Sequence, residues 1–279
     1  MISKSIKDFT ESEVVSMLVD AHNHFSYYNE DIDRALIDIR ENGVMMVSVS
    51  IDIPSYEDTL KVAKCSELIL PVFGVHPIVA HEHIHRLPEI RDLATEALML
   101  GEIGLDRMWT KDSSQIPAQK KLLETFFEVA QRKDKIVVLH VAGAEPEVLS
   151  LLDSYSIRKA IIHDYYGPVK LVERLIDRNL YFAFDRSYLK EYKSEIKGWQ
   201  DRLEIATMIP DDLFLVETDG PNKPPRRMPF EALQIVIDRI AELRKTTSNE
   251  IAALSSKNFT RLISGNAQLA KFVDIMRRS

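Results

Sequence analysis

Two histidines, His22 and His24, follow a short apolar run near the start of the chain, with one residue between them. Side chains two positions apart on a β-strand point to the same face, so the two imidazoles would lie side by side. Imidazole nitrogen is a frequent ligand of transition metals. Taken alone, the pair fits a metal site and solvated surface histidines equally well.

Four more residues follow or end other apolar runs, and all are of types that commonly bind metal ions or transfer protons. His140 and His163 end two of these runs, Glu102 lies in the segment GEIGLD, and Asp219 lies in ETDGP. With the first pair they form a mixed set of nitrogen and oxygen ligands. This set is too large for one tetrahedral ion and suits two divalent ions bridged by a carboxylate.

The elements that carry these residues alternate between two patterns. Apolar runs such as VMMVSVSI are typical of strands covered on both faces, as in parallel sheets, and amphipathic helical segments separate them. The predicted strands are Met17–Ala21, Val44–Ile51, Leu68–Val75, Ala97–Ile103, Lys135–Val141, Ala160–His163, Leu180–Phe184 and Leu213–Glu217. Eight β/α alternations in about 250 residues predict an α/β fold, a single-domain (β/α)8 TIM barrel. The alternative is a doubly wound open sheet, but no G-x-G-x-x-G follows the first strand.

The predicted barrel spans residues 17–279, and residues 1–16 form an N-terminal lead-in. The predicted helical segments are Asp31–Glu41, Tyr56–Glu67 with Ser55 as its N-cap, Ile116–Arg132, Glu145–Leu152, Val169–Arg178, a longer segment Tyr188–Ile209, Pro229–Arg244, and a last helix from Asn249 with a Thr247/Glu250 capping box.

The active sites of such barrels lie at the C-terminal ends of the strands. Five of the eight histidines, the four above and His76 of GVHP, fall at these ends. His140 or His163 alone would be explained as a buried, hydrogen-bonded histidine, and Glu102 alone as a buried ion-pair partner, so the prediction of a metal centre depends on all six ligands converging. The other three histidines, His81, His83 and His85, follow no strand and are predicted to be solvated loop residues.

Net charge, cysteine count and the length of the apolar runs exclude several classes of protein. The net charge of −7 argues against a protein that coats nucleic acid through a positive field, although bound cations would still allow a nuclease. The single cysteine, Cys65, excludes an internal disulfide and is predicted to be buried. No apolar run approaches the ~20 residues needed to cross a bilayer, so we expect a cytoplasmic protein without a membrane partner.

The motifs VDAHNHF, GVHP, GEIGLD, LH, HDYYG, ETDGP and NFTRL resemble, in sequence and order, those of the TatD family of metal-dependent deoxyribonucleases, within the amidohydrolase-like barrel superfamily. The resemblance extends from about Leu18 to Leu262. It implies a metal-dependent hydrolase, a 3′-exonuclease acting on single-stranded DNA or 3′ ends, with two divalent ions (Mg, Mn or Zn) as cofactors.

The resemblance also implies roles for individual residues. His22 and His24 would bind one ion and His140 and His163 the other. Glu102 would bridge the two ions. Asp219 would bind metal and accept the proton of the attacking water, so that Asp219 and Glu102 are the expected catalytic residues. His76 would lie near the substrate phosphate without being a primary ligand.

Three departures from the family pattern concern the substrate. Asn23 stands where members usually carry cysteine, HDYYG replaces HCFSG or HCFTG, and Val141–Ala142 replace Ser-Arg after the fifth-strand histidine. Without that arginine, one phosphate-binding group of the family is missing. Two alternatives therefore stay open, namely a hydrolase of a small amide, lactone or phosphoester, and a barrel that binds metal or a partner without turnover.

Candidate substrate contacts lie just beyond the strands. Lys223, Arg226 and Arg227 follow Asp219 closely and would either clamp a phosphate or be solvated charges of a proline-stiffened loop. Six aromatic residues would either stack on bases of a single strand or pack loops over the barrel mouth: Phe25, Tyr27, Tyr28, Trp109, Tyr165 and Tyr166. Packing is the better explanation for most of them, and Tyr165, two residues after His163, is the first candidate for a substrate contact.

Overall fold

A computed structural model describes residues 17–189, 193, 198–221 and 227–278. It contains one sheet of eight parallel strands that pair in chain order. The strands are β1 Leu18–Asn23, β2 Val44–Val49, β3 Ile69–Phe73, β4 Met99–Asp106, β5 Val137–Ala142, β6 Ala160–His163, β7 Tyr181–Phe184 and β8 Phe214–Val216. The predicted TIM barrel is confirmed, while the predicted lead-in, residues 1–16, lies outside the described residues.

Helices occupy the connections between the strands and continue after the last one. Those of the described residues are α1 Ile32–Glu41, α2 Ile53–Ala63, α3 Ala80–His83, α4 Leu87–Glu96, α5 Ile116–Lys133, α6 Glu145–Ser154, α7 Val172–Ile176, α8 Trp199–Met208, α9 Pro229–Arg244, α10 Ser248–Ile263 and α11 Ala270–Met276.

The strands are buried on both faces. Every strand residue except Leu18 is buried, which explains why the strand sequences are apolar almost throughout. Gly104 of β4 marks a close approach to β5, because a Cβ at this position would lie 1.7 Å from the His140 carbonyl oxygen. The glycine in GEIGLD therefore allows β4 and β5 to approach each other at the level of the histidines.

The barrel closes between β1 and the segment that follows β8. The Asp219 amide donates to the His22 carbonyl (3.0 Å), and the His24 amide donates to the Gly220 carbonyl (2.7 Å). In addition, the buried Asp20 carboxylate accepts hydrogen bonds from the Thr218 amide (3.0 Å) and hydroxyl (2.5 Å). The bonds that close the barrel thus fix the residues expected to bind metal.

Helix ends agree with the prediction in one case and correct it in another. The Thr247/Glu250 capping box of α10 is confirmed. Helix α2, however, begins after Asp52, whose side chain accepts from the Ser55 amide (2.8 Å), so Ser55 is the reciprocal partner and not the N-cap. The cysteine is also placed differently from the prediction. Cys65 lies in the turn after α2 and is exposed, so the prediction of a buried thiol is wrong.

Two helical regions differ from their predicted extents. The segment predicted over 169–178 is a short 3-10 turn followed by the five residues of α7, and the described helix within 188–209 is α8 alone. His81, His83 and His85 lie in α3 and the 3-10 turn after it, so the loop prediction is wrong, although His81 and His85 are exposed. No helix in the described ranges combines the length and the apolar character that crossing a bilayer requires.

Candidate metal centre and substrate cavity

Glu102, in the middle of β4, lies at the centre of the six predicted ligands and is almost completely buried. Its Oε2 atom lies 3.5 Å from His22 Nε2 and 3.6 Å from His24 Nε2. Asp219 approaches the same pair, with Oδ1 3.8 Å from His22 Nε2 and 3.4 Å from His24 Nε2. These four residues surround one potential ion position.

The other oxygen of Glu102 faces a second group of imidazoles. Its Oε1 atom lies 2.9 Å from His140 Nδ1, 3.7 Å from His163 Nε2 and 3.3 Å from His76 Nε2. The imidazoles from β1 and those from β5 and β6 are therefore divided between the two oxygens of one carboxylate. A carboxylate with this arrangement has one oxygen available for each of two ions.

Some buried polar atoms of the site have no hydrogen-bond partner, which lowers the stability of the folded protein. A bound metal ion would supply the missing partner. Both ring nitrogens of His22 are buried and lack a hydrogen-bond partner, which is unfavourable for polar atoms. Burial and the neighbouring His163 lower the pKa of His22 to about 4, so the ring is neutral and able to act as a ligand. Imidazole and carboxylate donors suit divalent transition metals, and the residues present therefore fit a metal centre.

Two carboxylates that sequence reasoning missed hold the outer sides of the histidines. Glu217 Oε1 lies 2.6 Å from His163 Nδ1, and Asp106 Oδ2 lies 3.2 Å from His140 Nε2. Carboxylate partners of this kind orient ligating histidines in metal sites. Both stand inside the motifs ETDGP and GEIGLD, but sequence spacing does not reveal which ring nitrogen each one faces.

The same carboxylates control protonation in the metal-free protein. Burial opposes a positive charge on His140, but its hydrogen bonds with Asp106 and Glu102 raise the pKa to about 9. Burial likewise opposes charge on His163, yet the adjacent Glu217 raises its pKa well above the usual value. Protons and metal ions must therefore compete for these two rings.

The pKa of Asp219 is lowered, whereas those of His140 and His163 are raised. Burial opposes its ionisation, but the hydrogen bond with His24 and the surrounding imidazoles lower its pKa below the usual range. Its backbone has φ of 49°, in the left-handed region that few non-glycine residues adopt. The carboxylate is thus ionised at neutral pH and is held by local backbone geometry next to the two β1 histidines.

His76 differs from the other histidines in its tautomer. The Ile78 amide donates to His76 Nδ1 (3.1 Å), so Nδ1 is an acceptor and the neutral ring carries its proton on Nε2. That Nε2–H group points toward Glu102 Oε1 at the cavity. His76 is therefore arranged as a hydrogen-bond donor to an oxygen atom, and less suited to ligate a metal.

A cavity of about 430 Å³ opens above these residues. Its floor is polar and its walls are aromatic and aliphatic; the lining residues are His24, Tyr27, Ile51, His76, Ile78, Val79, Glu102, Trp109, His140, His163, Asp164, Tyr166 and Asp219. Among the residues that the structure describes, no lysine or arginine lines this cavity. Within those residues, therefore, no other cation takes the place of the arginine that family members usually carry after the fifth-strand histidine.

Some of the predicted substrate-contact residues line the cavity and others do not. Tyr165 is 1% exposed, donates its hydroxyl to the Pro168 carbonyl (3.2 Å) and packs against Phe182, so it belongs to the core. The next residue, Tyr166, lines the cavity instead. Because β6 ends at His163, the strand alternation does not predict which of the two adjacent tyrosines faces the cavity.

The predicted basic cluster lies mostly outside the described part of the chain, which lacks Lys223 and Arg226. Arg227 is described. Its Nε atom lies 3.5 Å from Glu231 Oε1, its carbonyl accepts from the Tyr28 hydroxyl (3.2 Å), and it does not line the cavity. A phosphate contact by this cluster stays a prediction.

A closed parallel barrel with imidazoles and carboxylates grouped at its C-terminal strand ends defines a metal-dependent TIM-barrel hydrolase. A sequence profile described as TatD related DNase matches residues 19–264. The chain therefore belongs to this family of hydrolases that act on ester bonds, and the predicted resemblance is confirmed.

Individual relatives agree with this assignment. The uncharacterized metal-dependent hydrolase YabD of Bacillus subtilis is 25% identical over 261 residues, covering 88% of this chain and 98% of YabD. Human deoxyribonuclease TATDN3 is 24% identical over 268 residues, covering 88% and 94%. The crystal structure of YJJV, a TatD homolog from Escherichia coli, has a TM-score of 0.76 at 21% identity, covering 89% of this chain and 98% of that one.

Proposed function

We propose that this protein is a deoxyribonuclease that removes nucleotides from the 3′ ends of DNA, single-stranded ends above all. The observation that carries the proposal is the division of the histidines between the two oxygens of Glu102. A phosphodiester carries a negative charge that grows during hydrolysis, and two closely spaced cations are suited to stabilise it. Family membership and the named deoxyribonuclease relative support DNA as the substrate.

The contacts support one assignment of the ligands. His22, His24 and Asp219 would hold one ion, His140 and His163 the other, and Glu102 would lie between them. When bound, two divalent ions, Mg, Mn or Zn, would supply positive charge to the phosphate and make the attacking water more acidic. Glu217 and Asp106 would keep the rings of His163 and His140 in the orientation required for binding.

The remaining steps fall to the side chains that face the cavity. Asp219 is ionised, and its carboxylate would accept the proton of the attacking water. His76 would donate its Nε2–H to a non-bridging phosphate oxygen, because Nδ1 is occupied by the Ile78 amide.

A second function has a specific observation in its favour. The described lining of the cavity has no lysine or arginine and includes Ile51, Ile78 and Val79. A neutral ester, lactone or amide would suit such walls better than a long polyanion would, unless the segment 222–226 supplies the cations. The cytoplasmic location expected from the sequence remains a prediction under either function.

One assay distinguishes these functions. Metal-loaded protein is incubated with a 5′-labelled single-stranded oligonucleotide, and in parallel with a panel of small esters, lactones and amides. We expect progressive shortening from the 3′ end, blocked when the terminal linkage is a phosphorothioate. Turnover of a small ester with an intact oligonucleotide would establish the second function, and absence of turnover on every substrate would contradict both.

A further inference from the structure

The wall of the cavity contains two aromatic rings that the proposed chemistry does not use. Trp109 and Tyr166 contact each other edge to face, with ring centroids 4.9 Å apart and ring planes at 84°. Trp109 also lies 5.9 Å from the His140 ring, and its side chain is 45% exposed at the cavity. A large apolar ring is thus presented directly beside the candidate metal centre.

The position of Trp109 is tied to that centre. The amides of Met108 and Trp109 donate to Asp106 Oδ1 (2.8 and 2.7 Å), while Asp106 Oδ2 faces His140 Nε2. Asp106 is fully buried, so one carboxylate fixes both an expected metal ligand and the backbone that carries the tryptophan. Trp109 is therefore held at a defined distance from the expected metal ligand His140.

A buried arginine packs against the ring of Tyr166. The guanidinium of Arg202, from α8, lies between two rings, with its central carbon 4.1 Å from the Tyr166 centroid and 4.6 Å from the Tyr188 centroid. Arg202 is 3% exposed and donates to the Asp164 carboxylate and the Ser187 hydroxyl. This pairing compensates the buried charge and leaves the ring of Tyr166 little freedom to turn.

A third aromatic ring also lines the cavity. Tyr27 lies nearly parallel to the His24 ring, at 5.6 Å and 17°, and also lines the cavity. The cavity therefore combines an imidazole and carboxylate floor with aromatic walls. A ligand that carries a phosphate at one end and a flat ring at the other would satisfy both surfaces.

We propose that Trp109 and Tyr166 form a subsite for the nucleobase next to the hydrolysed phosphate, and that Arg202 is a positioning residue that holds Tyr166. The identity of the ring as a nucleobase rests on the proposed function; an aryl group of a small phosphoester has the same stacking chemistry. Stacking on an aromatic side chain tolerates any base, so the subsite would select for a ring without selecting a sequence.

Binding tests the subsite without turnover. The chain has two tryptophans, so W199F leaves Trp109 as the single reporter and W109F is the matched control. With zinc-loaded protein, we expect deoxyadenosine monophosphate to quench W199F fluorescence and deoxyribose 5-phosphate to leave it unchanged, with no response from W109F. Equal responses to the two ligands would overturn the subsite, and quenching by phenyl phosphate alone would overturn the nucleobase assignment.

Kinetics test the same subsite on DNA. We expect W109A to raise KM about tenfold for an oligonucleotide with a normal 3′-terminal nucleotide, because one stacking interaction is removed, and W109F to retain most of the affinity. An oligonucleotide with an abasic 3′ end should show no difference between W109A and the parent protein. An equal rise in KM on both substrates would overturn the proposal while leaving the nuclease function intact.

The role of Arg202 has its own test. R202K keeps the charge and loses the planar stacking, so KM for the normal end should rise while kcat for the abasic end is retained. In a Y166A background, R202K should cause no further rise in KM, since it acts through Tyr166. Additive effects, or an equal loss of kcat on both substrates, would instead indicate general damage to α8 and overturn the positioning role.

Discussion

The floor and the wall of the cavity are held in place by different means. The floor histidines and Glu102 lie within strands or directly after them, and Asp219, on the segment after β8, is joined to His22 by a backbone hydrogen bond that closes the barrel. The wall rings Trp109 and Tyr166 lie on segments after the strands and depend on side-chain partners, Asp106 and Arg202. Strands and the backbone hydrogen bonds that join them therefore position the expected catalytic groups, while side-chain contacts position the groups expected to bind substrate.

The difference predicts that changes to the floor lower turnover and that changes to the wall alter affinity. The largest effect should come from removing metal. We expect chelation to reduce activity by more than about 1000-fold and Mg, Mn or Zn to restore it, because the ions supply the charge that stabilises the transition state. Metal analysis before and after chelation checks the loss, and full activity of metal-free protein would eliminate the two-ion mechanism.

Asp219→Asn should have the next largest effect. Removing the proton acceptor should lower kcat by at least ~100-fold with the fold retained. Initial rates and circular dichroism measure the two quantities. D58N on the exposed surface of α2 is the matched control and should behave as the parent protein. Normal turnover of D219N would refute the assigned role.

Glu217, which contacts the outer nitrogen of His163, should affect metal binding through that ring. Glu217→Gln leaves the ring of His163 without its charged partner, and we expect metal affinity to fall by about 10- to 100-fold. Isothermal titration calorimetry measures the change, with saturating metal restoring part of the activity. Unchanged affinity would show that Glu217 does not orient the ring.

Metal binding should also depend on pH. His140 and His163 have raised pKa values, about 9 for His140, so both hold protons at neutral pH in the metal-free protein. Metal must displace these protons; metal affinity, and activity at limiting metal, should therefore rise with pH up to about 9. Titrations in buffers of different ionisation enthalpy report the released protons, and a pH-independent affinity would contradict the competition.

The smallest effect contrasts two neighbouring tyrosines. Tyr165→Phe removes one buried hydrogen bond to Pro168, so we expect a loss of about 1 kcal/mol in unfolding free energy and little change in KM. Tyr166→Ala should instead raise KM as W109A does. Denaturant unfolding together with kinetics separates the two outcomes, and a raised KM for Y165F would return the substrate contact to Tyr165.

Two histidine patterns show why local sequence is informative only in context. His22-x-His24 and His81-x-His83-x-His85 have the same spacing, but the first ends a buried strand and the second lies in short helical turns. In a strand, alternate residues share a face, whereas in a helix residues two apart point in different directions. The preceding apolar run, present in one case and absent in the other, was the signal that separated them.

The sequence by itself determined the barrel, the order of its strands and the residue types at their ends, because these depend on hydrophobic periodicity and on motifs that are continuous in the chain. Only the tertiary structure decided which oxygen of Glu102 faces which histidine, that Tyr166 and not Tyr165 faces the cavity, and that Arg202 packs behind it. These features depend on side-chain direction beyond the regular strands and on contacts between distant segments. Local periodicity contains neither.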